Sequence, residues 1–590
     1  MSKYLNSMKQ FLKILFACLS AILLFFLIIL FAFAGLVAGV SKDSEKTNID
    51  KNSLLVIDMN KPIAEQTQKN PFGTFTKSPT SVVGLNDILN SIKAAQTDDK
   101  IKGIYIKLGA NPNGWATLQE IKNAIVDFKA NSKKFVFAYG EICDQKSYYV
   151  ASAGDKIFLN PVGGFEFNGL SITGTFFKGT LDKLGITTEA FHCGKYKGAY
   201  EPYKLDKFSE PNRYQLSVML NDFYSEFLQT VSKKTGLDTN QLIKISNEGT
   251  IKFPSDALKN HFVDATIYGD SVESILKSQI GIKSKDKIKL VTPEDYVNSI
   301  DTKFNNDKIA VLYADGAIYD GDGDDGVYSK RMISDIRKIS EDDNVKALVL
   351  RVNSPGGSAM ASEVIYHELM KLKSRIPIIV SMGNYAASGG YYLSCAGDSI
   401  FADNNTITGS IGVVGVMMNY GNALKDKVGV TTDVVKTSTY ADFPSVTRPF
   451  TDAERNWIQS YLDTTYTLFK SRVAVARNMT MEQVEDLAQG HVYSGTLALQ
   501  LKLIDAIGNK EDAITCAAKK VNLKNYQIEE YPKRKDKLKE MIEEFSGQNK
   551  EDAIVKKVLG DDYLIFKEIQ KLKAQKNQIM AVMPFQIEVR

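Results

Sequence analysis

Histidine is scarce in this 590-residue chain. The four present, His192, His261, His367 and His491, form no HExxH arrangement, so the signature of a zinc protease is missing. Cys18, Cys143, Cys193, Cys395 and Cys516 show no CxxC or metal-type spacing. An odd, scattered set makes neither a disulfide framework nor a metal cluster, and reads as small buried side chains. Charge of one sign is also lacking, since 73 basic and 69 acidic residues leave a net +4. With no basic block or nucleic-acid-binding motif, DNA and RNA are not expected as partners. Neither a metal nor a cofactor is expected.

One long uncharged run stands near the N-terminus, from Ile14 to Val40. As a helix it reaches roughly 40 Å, enough to cross a ~30 Å hydrocarbon core with tilt. Lys3, Lys9 and Lys13 precede it without an acidic residue. The positive-inside rule then keeps the N-terminus cytoplasmic and sends the body to the far side of the inner membrane, the periplasm in a Gram-negative-type envelope. Ala32-Phe33-Ala34 has the small-x-small pattern of a cleavage site, but the apolar run continues past it. An uncleaved, lipid-contacting anchor within residues 1–46 is expected.

The remaining length exceeds what one core can fill, and it contains a duplication. Gly140, Tyr148, Tyr149, Ala153, Gly154, Asp155, Ile157 and Phe158 recur at a constant offset as Gly383, Tyr391, Tyr392, Ala396, Gly397, Asp398, Ile400 and Phe401. A repeat this long means duplicated domains rather than a solenoid. The expected organisation is a first repeat over 47–269, a linker over 270–307, a second repeat over 308–531 and a charged, helical tail over 532–590. The tail ends in an apolar piece, Ile579–Val589, that needs a docking place. In the second copy Val345–Val352 reads as a buried strand, Ser354–Ser358 as a turn and Ala359–Ser374 as a helix. Pro377–Ser381 is the next strand, followed by a helix from Ser388. Strand–turn–helix alternation argues for an α/β class.

Each copy lacks what the other supplies. Opposite Ser388 the first copy has Gln145; opposite Lys197 the second has Ala441. A serine hydroxyl is a weak nucleophile until a base takes its proton. Without a suitably placed histidine a desolvated lysine can serve. To work near neutrality a lysine must lose about three pKa units from ~10.4, so burial has to supply roughly 4 kcal/mol. Lys197 lies in Gly194–Pro202 (GKYKGAYEP), where Tyr196 and Tyr200 are candidate shields and Lys195 is a competing base. Ser388 lies in Tyr385–Gly390 (YAASGG), whose small residues leave a hydroxyl open at a helix start. Gly356-Gly357 can add a backbone N–H to an oxyanion hole. The matching Asn111–Gly114 stretch contains Pro112, which has no N–H to give.

At these residues the chain resembles the signal peptide peptidase A family in its long, duplicated form, over essentially Leu54 to Tyr531. The serine motif matches Gly383–Tyr391, the SPGGS motif Ser354–Ser358 and the lysine motif Tyr196–Pro202. The resemblance implies two tandem crotonase/Clp-like α/β domains, with Ser388 as nucleophile and Lys197 as general base. It also implies Ser410 (in Thr408–Gly412) as the residue orienting the lysine, and Gly356, Gly357 and Gly389 as the oxyanion side. The implied activity is a membrane-anchored serine endopeptidase degrading released signal peptides and similar apolar peptides. The implied assembly is a homo-oligomer, a tetramer. Lys195 beside the candidate base would help to lower its pKa by repulsion. Two other classes stay open. A crotonase-fold acyl-CoA hydrolase or hydratase would share the fold, although the anchor and the Ser/Lys pair weigh against it. A non-catalytic membrane scaffold would leave Lys197 and Ser388 beyond hydrogen-bond reach, over roughly 6 Å apart.

Overall fold

The computed structural model describes residues 11–28, 49–69, 81–300, 305–533, 580–583 and 589. Phe11–Ile28 is helical and, among the described residues, the one helix long and apolar enough to cross a membrane. Residues 29–40 of the expected anchor, most of the following polar tether and the expected helix of the tail lie outside the described residues.

The duplication appears as the same parallel six-strand order in two sheets, the second extended by Ile407–Gly409 beside Ile378–Ala387 and by Val492–Ser494 antiparallel to Ile407–Gly409. The first runs Ala265–Thr266, Lys156–Phe165, Phe135–Cys143, Ile101–Lys107, Ser53–Asp58 and Lys289–Val291. The second runs Ala506–Ile507, Ser399–Ala402, Ile378–Ala387, Val345–Ser354, Lys308–Asp315 and Gln527–Tyr531. Unbroken apolar runs such as Leu54–Ile57 and Ile309–Ala314 are buried throughout, as a parallel sheet covered on both faces requires. Each copy carries a 26-residue helix, Glu210–Thr235 and Asp452–Arg477. Ser209 and Thr451 cap their N-termini, and left-handed Gly236 and Asn478 end them.

Residues 270–307, expected as a linker, carry the Gly269–Ile280 helix, the Lys289–Val291 edge strand and the Pro293–Val297 helix. The edge strand holds the place that Gln527–Tyr531 holds in the second sheet. The SPGGS stretch also departs from a simple turn, because Gly356–Ser358 is a short strand. A side chain at Gly357 would overlap the Ile318 backbone, so only glycine lets the two chains pair.

The copies interlock through a third sheet. Its order is Val327–Tyr328, Ile318–Tyr319, Gly356–Ser358, Met580–Val582, Val413–Asn419 and Thr187–Cys193. Thr187–Cys193 of the first repeat pairs antiparallel with Val413–Asn419 of the second, from Thr187↔Asn419 to Cys193↔Val413. The apolar cores mix accordingly. Phe191 and Cys193 pack in the second repeat's core, and Ala387, Ile407 and Val492 in the first's.

A buried ion cluster adds a polar tie. Arg351, 1% exposed on the second repeat's sheet, donates to Glu65 (2.9 and 3.2 Å) and Glu120 (2.6 Å) of the first. It also reaches Ser381 Oγ at 2.9 Å and the Met382 carbonyl at 3.1 Å. Burial pushes the Glu120 carboxyl up, with Arg351 working against that shift. Burial also opposes the Arg351 charge, but the two carboxylates more than offset it and raise its pKa. Arg351→Ala leaves two carboxylates buried without their cation, and is expected to cost about 3–5 kcal/mol in chemical denaturation. Replacing all three residues by apolar ones of similar volume is expected to recover most of that loss.

Candidate active site

The inter-repeat ladder delivers the lysine. Thr187–Cys193 leads directly into the Gly194–Gly198 turn, so Lys197 is carried over the second repeat. Two glycines permit the close approach. A Cβ on Gly194 would collide with the Gln489 backbone, and one on Gly490 would come within 2.7–2.8 Å of Lys197 N, Cα and Cβ. Both have positive φ, 100° and 76°, which glycine adopts without strain. Tyr196 N donates to the Gln489 carbonyl at 2.9 Å. Gln215 completes the clasp, donating from Nε2 to the Tyr196 carbonyl and accepting from Val492 N, each at 2.9 Å. Buried Glu201 accepts from Asn212 Nδ2 at 2.9 Å, and Asn212 Oδ1 accepts from Gln215 Nε2 at 2.8 Å.

The serine comes from the second sheet. Ser388 follows the Ile378–Ala387 strand and precedes the Gly389–Ser394 helix, at φ 55° and ψ −114°. That conformation costs a non-glycine residue about 1–3 kcal/mol and is typical of strained functional turns. Glycines after it let the helix sit close, since a Cβ on Gly389 would meet Ser362 Oγ at 2.7 Å and one on Gly390 the Ser354 carbonyl at 2.6 Å.

Lys197 Nζ donates to Ser388 Oγ at 2.8 Å, and to Ser410 O and Oγ at 3.0 Å each. All three residues are at most 1% exposed. The scaffold alternative required a separation far beyond hydrogen-bond reach, and this pair is within it. Burial pulls the Lys197 amine well below the ordinary lysine value of 10.5. Lys195 plays no part in that shift. It is exposed, its ammonium lies 5.0 Å from the Tyr196 ring centre, and its charge acts on His491 instead. The proposed aromatic shields point elsewhere too, with Tyr196 edge-on to His491 and Tyr200 stacked on His192. His491 is held near a pKa of about 4, chiefly by burial, and its carbonyl accepts from Ser410 N at 2.6 Å. An uncharged lysine amine has two N–H groups and one lone pair. If the N–H groups go to Ser410 O and Oγ, the lone pair faces the Ser388 hydroxyl.

On the opposite side of Ser388, Gly356 N donates to Ser354 Oγ at 3.2 Å and is therefore engaged. Gly357 and Gly389 remain as the candidate oxyanion donors, Gly389 by its position at a helix start. Gly356 contributes through its missing side chain, because a Cβ there would come within 2.9 Å of Gly389 N. In the first copy the equivalent place is filled. Gln145 Oε1 accepts from Asn168 N and Gly169 N at 3.0 Å each, and its Nε2 donates to the Gly169 carbonyl at 2.9 Å. Gln215, Gly194 and Gly412, whose carbonyl lies 3.4 Å from Ser388 Oγ, were absent from the sequence-based candidates. Gly490 had a signal, since it repeats Gly249 and both have positive φ.

The chain matches peptidase family S49 over residues 128–283 and 370–524, a spacing like that of the internal repeat, and the Clp protease family over 301–406. It is 36% identical over 478 residues to Protease 4 of Salmonella typhi, covering 78% of this chain and 76% of that one. Protease 4 of Haemophilus influenzae is 34% identical over 453 residues, covering 74% and 73%. The chloroplastic serine protease SPPA of Arabidopsis thaliana is 32% identical over 445 residues, covering 74% and 65%.

A buried amine whose pKa is held below its ordinary value makes stability depend on pH. Between the lowered folded-state pKa and ~10.4 the unfolded chain binds a proton at Lys197 that the native chain does not, so stability rises with pH there. The stability difference between Lys197→Met and the parent is expected to move in the parent's favour as pH climbs through that window. Denaturation curves at several pH values check this, and a constant difference would mean the amine is charged in the fold.

Proposed function

The chain is a serine protease of peptidase family S49, and we propose that Ser388 is its nucleophile and Lys197 its general base, a dyad shared between the two repeats. The 2.8 Å contact between Nζ and Oγ, in a buried site where no carboxylate among the described residues hydrogen-bonds to the lysine, carries this reading. Neutral Lys197 takes the Ser388 proton as Oγ attacks a peptide carbonyl. The developing oxyanion meets the N–H groups of Gly357 and Gly389. Lys197 then passes the proton to the leaving amine, and water hydrolyses the acyl-enzyme. Ser410 aims the amine through its carbonyl and hydroxyl oxygens.

The substrates are extended apolar peptides, including released signal peptides. The strand edges of Gly356–Ser358 and Val413–Asn419 flank the serine and suit backbone pairing with an extended chain. Phe11–Ile28 anchors the protein in the inner membrane, with the N-terminus cytoplasmic and the body on the far side. The chain works as a homo-oligomer, a tetramer. In the first repeat Thr187–Cys193 finds its partner strand in the second. Its counterpart near Thr431–Lys436, which follows the same left-handed glycine (Gly185 and Gly429, both φ 74°), has no strand partner among the described residues. Val435 there is 99% exposed, and another copy of the chain would cover it.

Ser388→Ala and Lys197→Ala are expected to reduce cleavage of an apolar reporter peptide at least ~10³-fold with the fold intact. Lys197→Arg should be equally inactive, because arginine stays protonated. In the parent, kcat/KM should rise with pH through one ionisation well below 10.5. Parent-like turnover by either alanine variant would remove the dyad. Val435→Asp is expected to shift the protein to smaller species in analytical ultracentrifugation; an unchanged mass would exclude this edge as the contact.

A further inference from the structure

One buried amide touches both of the backbone segments that surround the lysine. Gln215 is fully buried on the Glu210–Thr235 helix of the first repeat. Its Nε2 donates to the Tyr196 carbonyl, just ahead of Lys197, and its Oε1 accepts from Val492 N, each at 2.9 Å. Val492 closes the stretch that holds the Ser410 bend. There the His491 carbonyl accepts from Ser410 N at 2.6 Å, and Gly490 N donates to the Ile411 carbonyl at 2.8 Å. One side chain therefore spans from the turn that carries Lys197 to the stretch that fixes Ser410, which receives two of the three Nζ contacts.

A relay of side chains sets which way this amide points. A carboxylate only accepts, so Glu201, 1% exposed, makes Asn212 turn Nδ2 toward it at 2.9 Å. Asn212 Oδ1 then faces Gln215 and accepts from its Nε2 at 2.8 Å. Nε2 is thereby directed to the Tyr196 carbonyl and Oε1 to Val492 N, as both backbones require. Ser209 N and Oγ are the other donors to Glu201, at 3.2 and 2.5 Å. Gly198 makes room for the relay, since a Cβ there would come within 2.6 Å of Asn212 Nδ2.

Three buried polar side chains bring a desolvation cost that apolar packing of a helix on a strand would avoid. The same helix already has a simpler tie two turns on, where Asp222 accepts from Ser494 Oγ at 2.5 Å. In the second repeat, which has Ala441 in place of the lysine, the position matching Gln215 on the Asp452–Arg477 helix is Trp457, 51% exposed. The amide is thus found in the copy that carries the base.

We propose that Gln215 is a positioning residue for the dyad, its amide aimed by Glu201 through Asn212 so that the lysine turn and the Ser410 bend keep one register. The proposal rests on the Ser388–Lys197 reading above. Gln215 acts through Lys197. Without it the turn shifts against Ser410, Nζ leaves its line to Ser388 Oγ, and water gains access to the amine.

Steady-state cleavage of an apolar reporter peptide by the full-length protein in detergent tests this, with folding followed by thermal unfolding. Gln215→Met removes all three bonds at similar volume. It is expected to lower kcat about 10²-fold, as a misplacement near ~1 Å does, with KM within about 2-fold of the parent. The ionisation that controls kcat/KM should also move up toward the ordinary lysine value, because the amine is less desolvated. Asp222→Asn, a purely structural control, is expected to lower the thermal midpoint and leave kcat and the pH profile unchanged. Asn212→Asp sets a second carboxylate against Glu201 and is expected to be as slow as Gln215→Met. Adding Glu201→Gln moves the acceptor-only group one place along the relay, and is expected to bring kcat back to within about 10-fold of the parent. A folded Gln215→Met with the parent's kcat and pH profile overturns the proposal and leaves the dyad standing. So does an Asp222→Asn variant that loses kcat and shifts its profile to the same extent. A double variant as slow as Asn212→Asp also overturns it, and this pair decides the matter if Gln215→Met does not fold. Parent-like turnover by Lys197→Ala overturns the dyad and the proposal together.

Discussion

Everything around the site follows from burying one lysine. An ammonium is strongly favoured in water, so a basic amine at neutral pH needs a dry, carboxylate-free pocket already built around it. Lys197 is 1% exposed, and burial is the cause of its lowered pKa. Its three hydrogen-bond partners, Ser388 Oγ and Ser410 O and Oγ, are neutral oxygens. An adjacent aspartate would favour the ammonium instead.

Such a pocket is hard to make from one sheet, and here two are used. The first repeat contributes a strand that runs out over the second, and the lysine sits on the turn at its end. The second contributes the strained serine turn and the Gly409–Ser410 bend. Gly194 and Gly490 matter because the two backbones nearly touch there, Gly194 against Gln489 and Gly490 against Lys197. Arg351 ties the same repeats together below the site, at the desolvation cost that a buried ion cluster carries. With the proposed dyad, duplication frees each copy to lose half of the chemistry, and in the first copy Gln145 fills the place opposite Ser388 with its own hydrogen bonds.

Much of this was legible in the residues. Eight repeated positions around Gly140 and Gly383 marked the duplication, and the Gln145/Ser388 and Lys197/Ala441 mismatches marked the division of labour. Unbroken apolar runs announced buried parallel strands, because that pattern depends only on neighbours along the chain. Where expectation and structure differ, long-range contacts decide. Gly356–Ser358 reads locally as a turn, yet it is drawn into a sheet by Ile318 and Met580–Val582. The 270–307 stretch reads as a polar linker, yet Ser53–Asp58 recruits its Lys289–Val291 as an edge strand. Lys195 is next to Lys197 in sequence but points to solvent, so its charge falls on His491.

By itself the sequence determined the α/β repeat, the apolar N-terminal segment, Ser388 and Lys197 as the candidate pair, and the family they suggest. These are matters of composition, periodicity and motif, all carried by residues close along the chain. Only the tertiary structure decided that a side chain 191 positions away from Ser388 lies 2.8 Å from it. It also decided that Gln215 holds the lysine turn and that Met580–Val582 pairs with Gly356–Ser358. Those outcomes depend on desolvation and on backbone approach between distant segments, which no local pattern encodes.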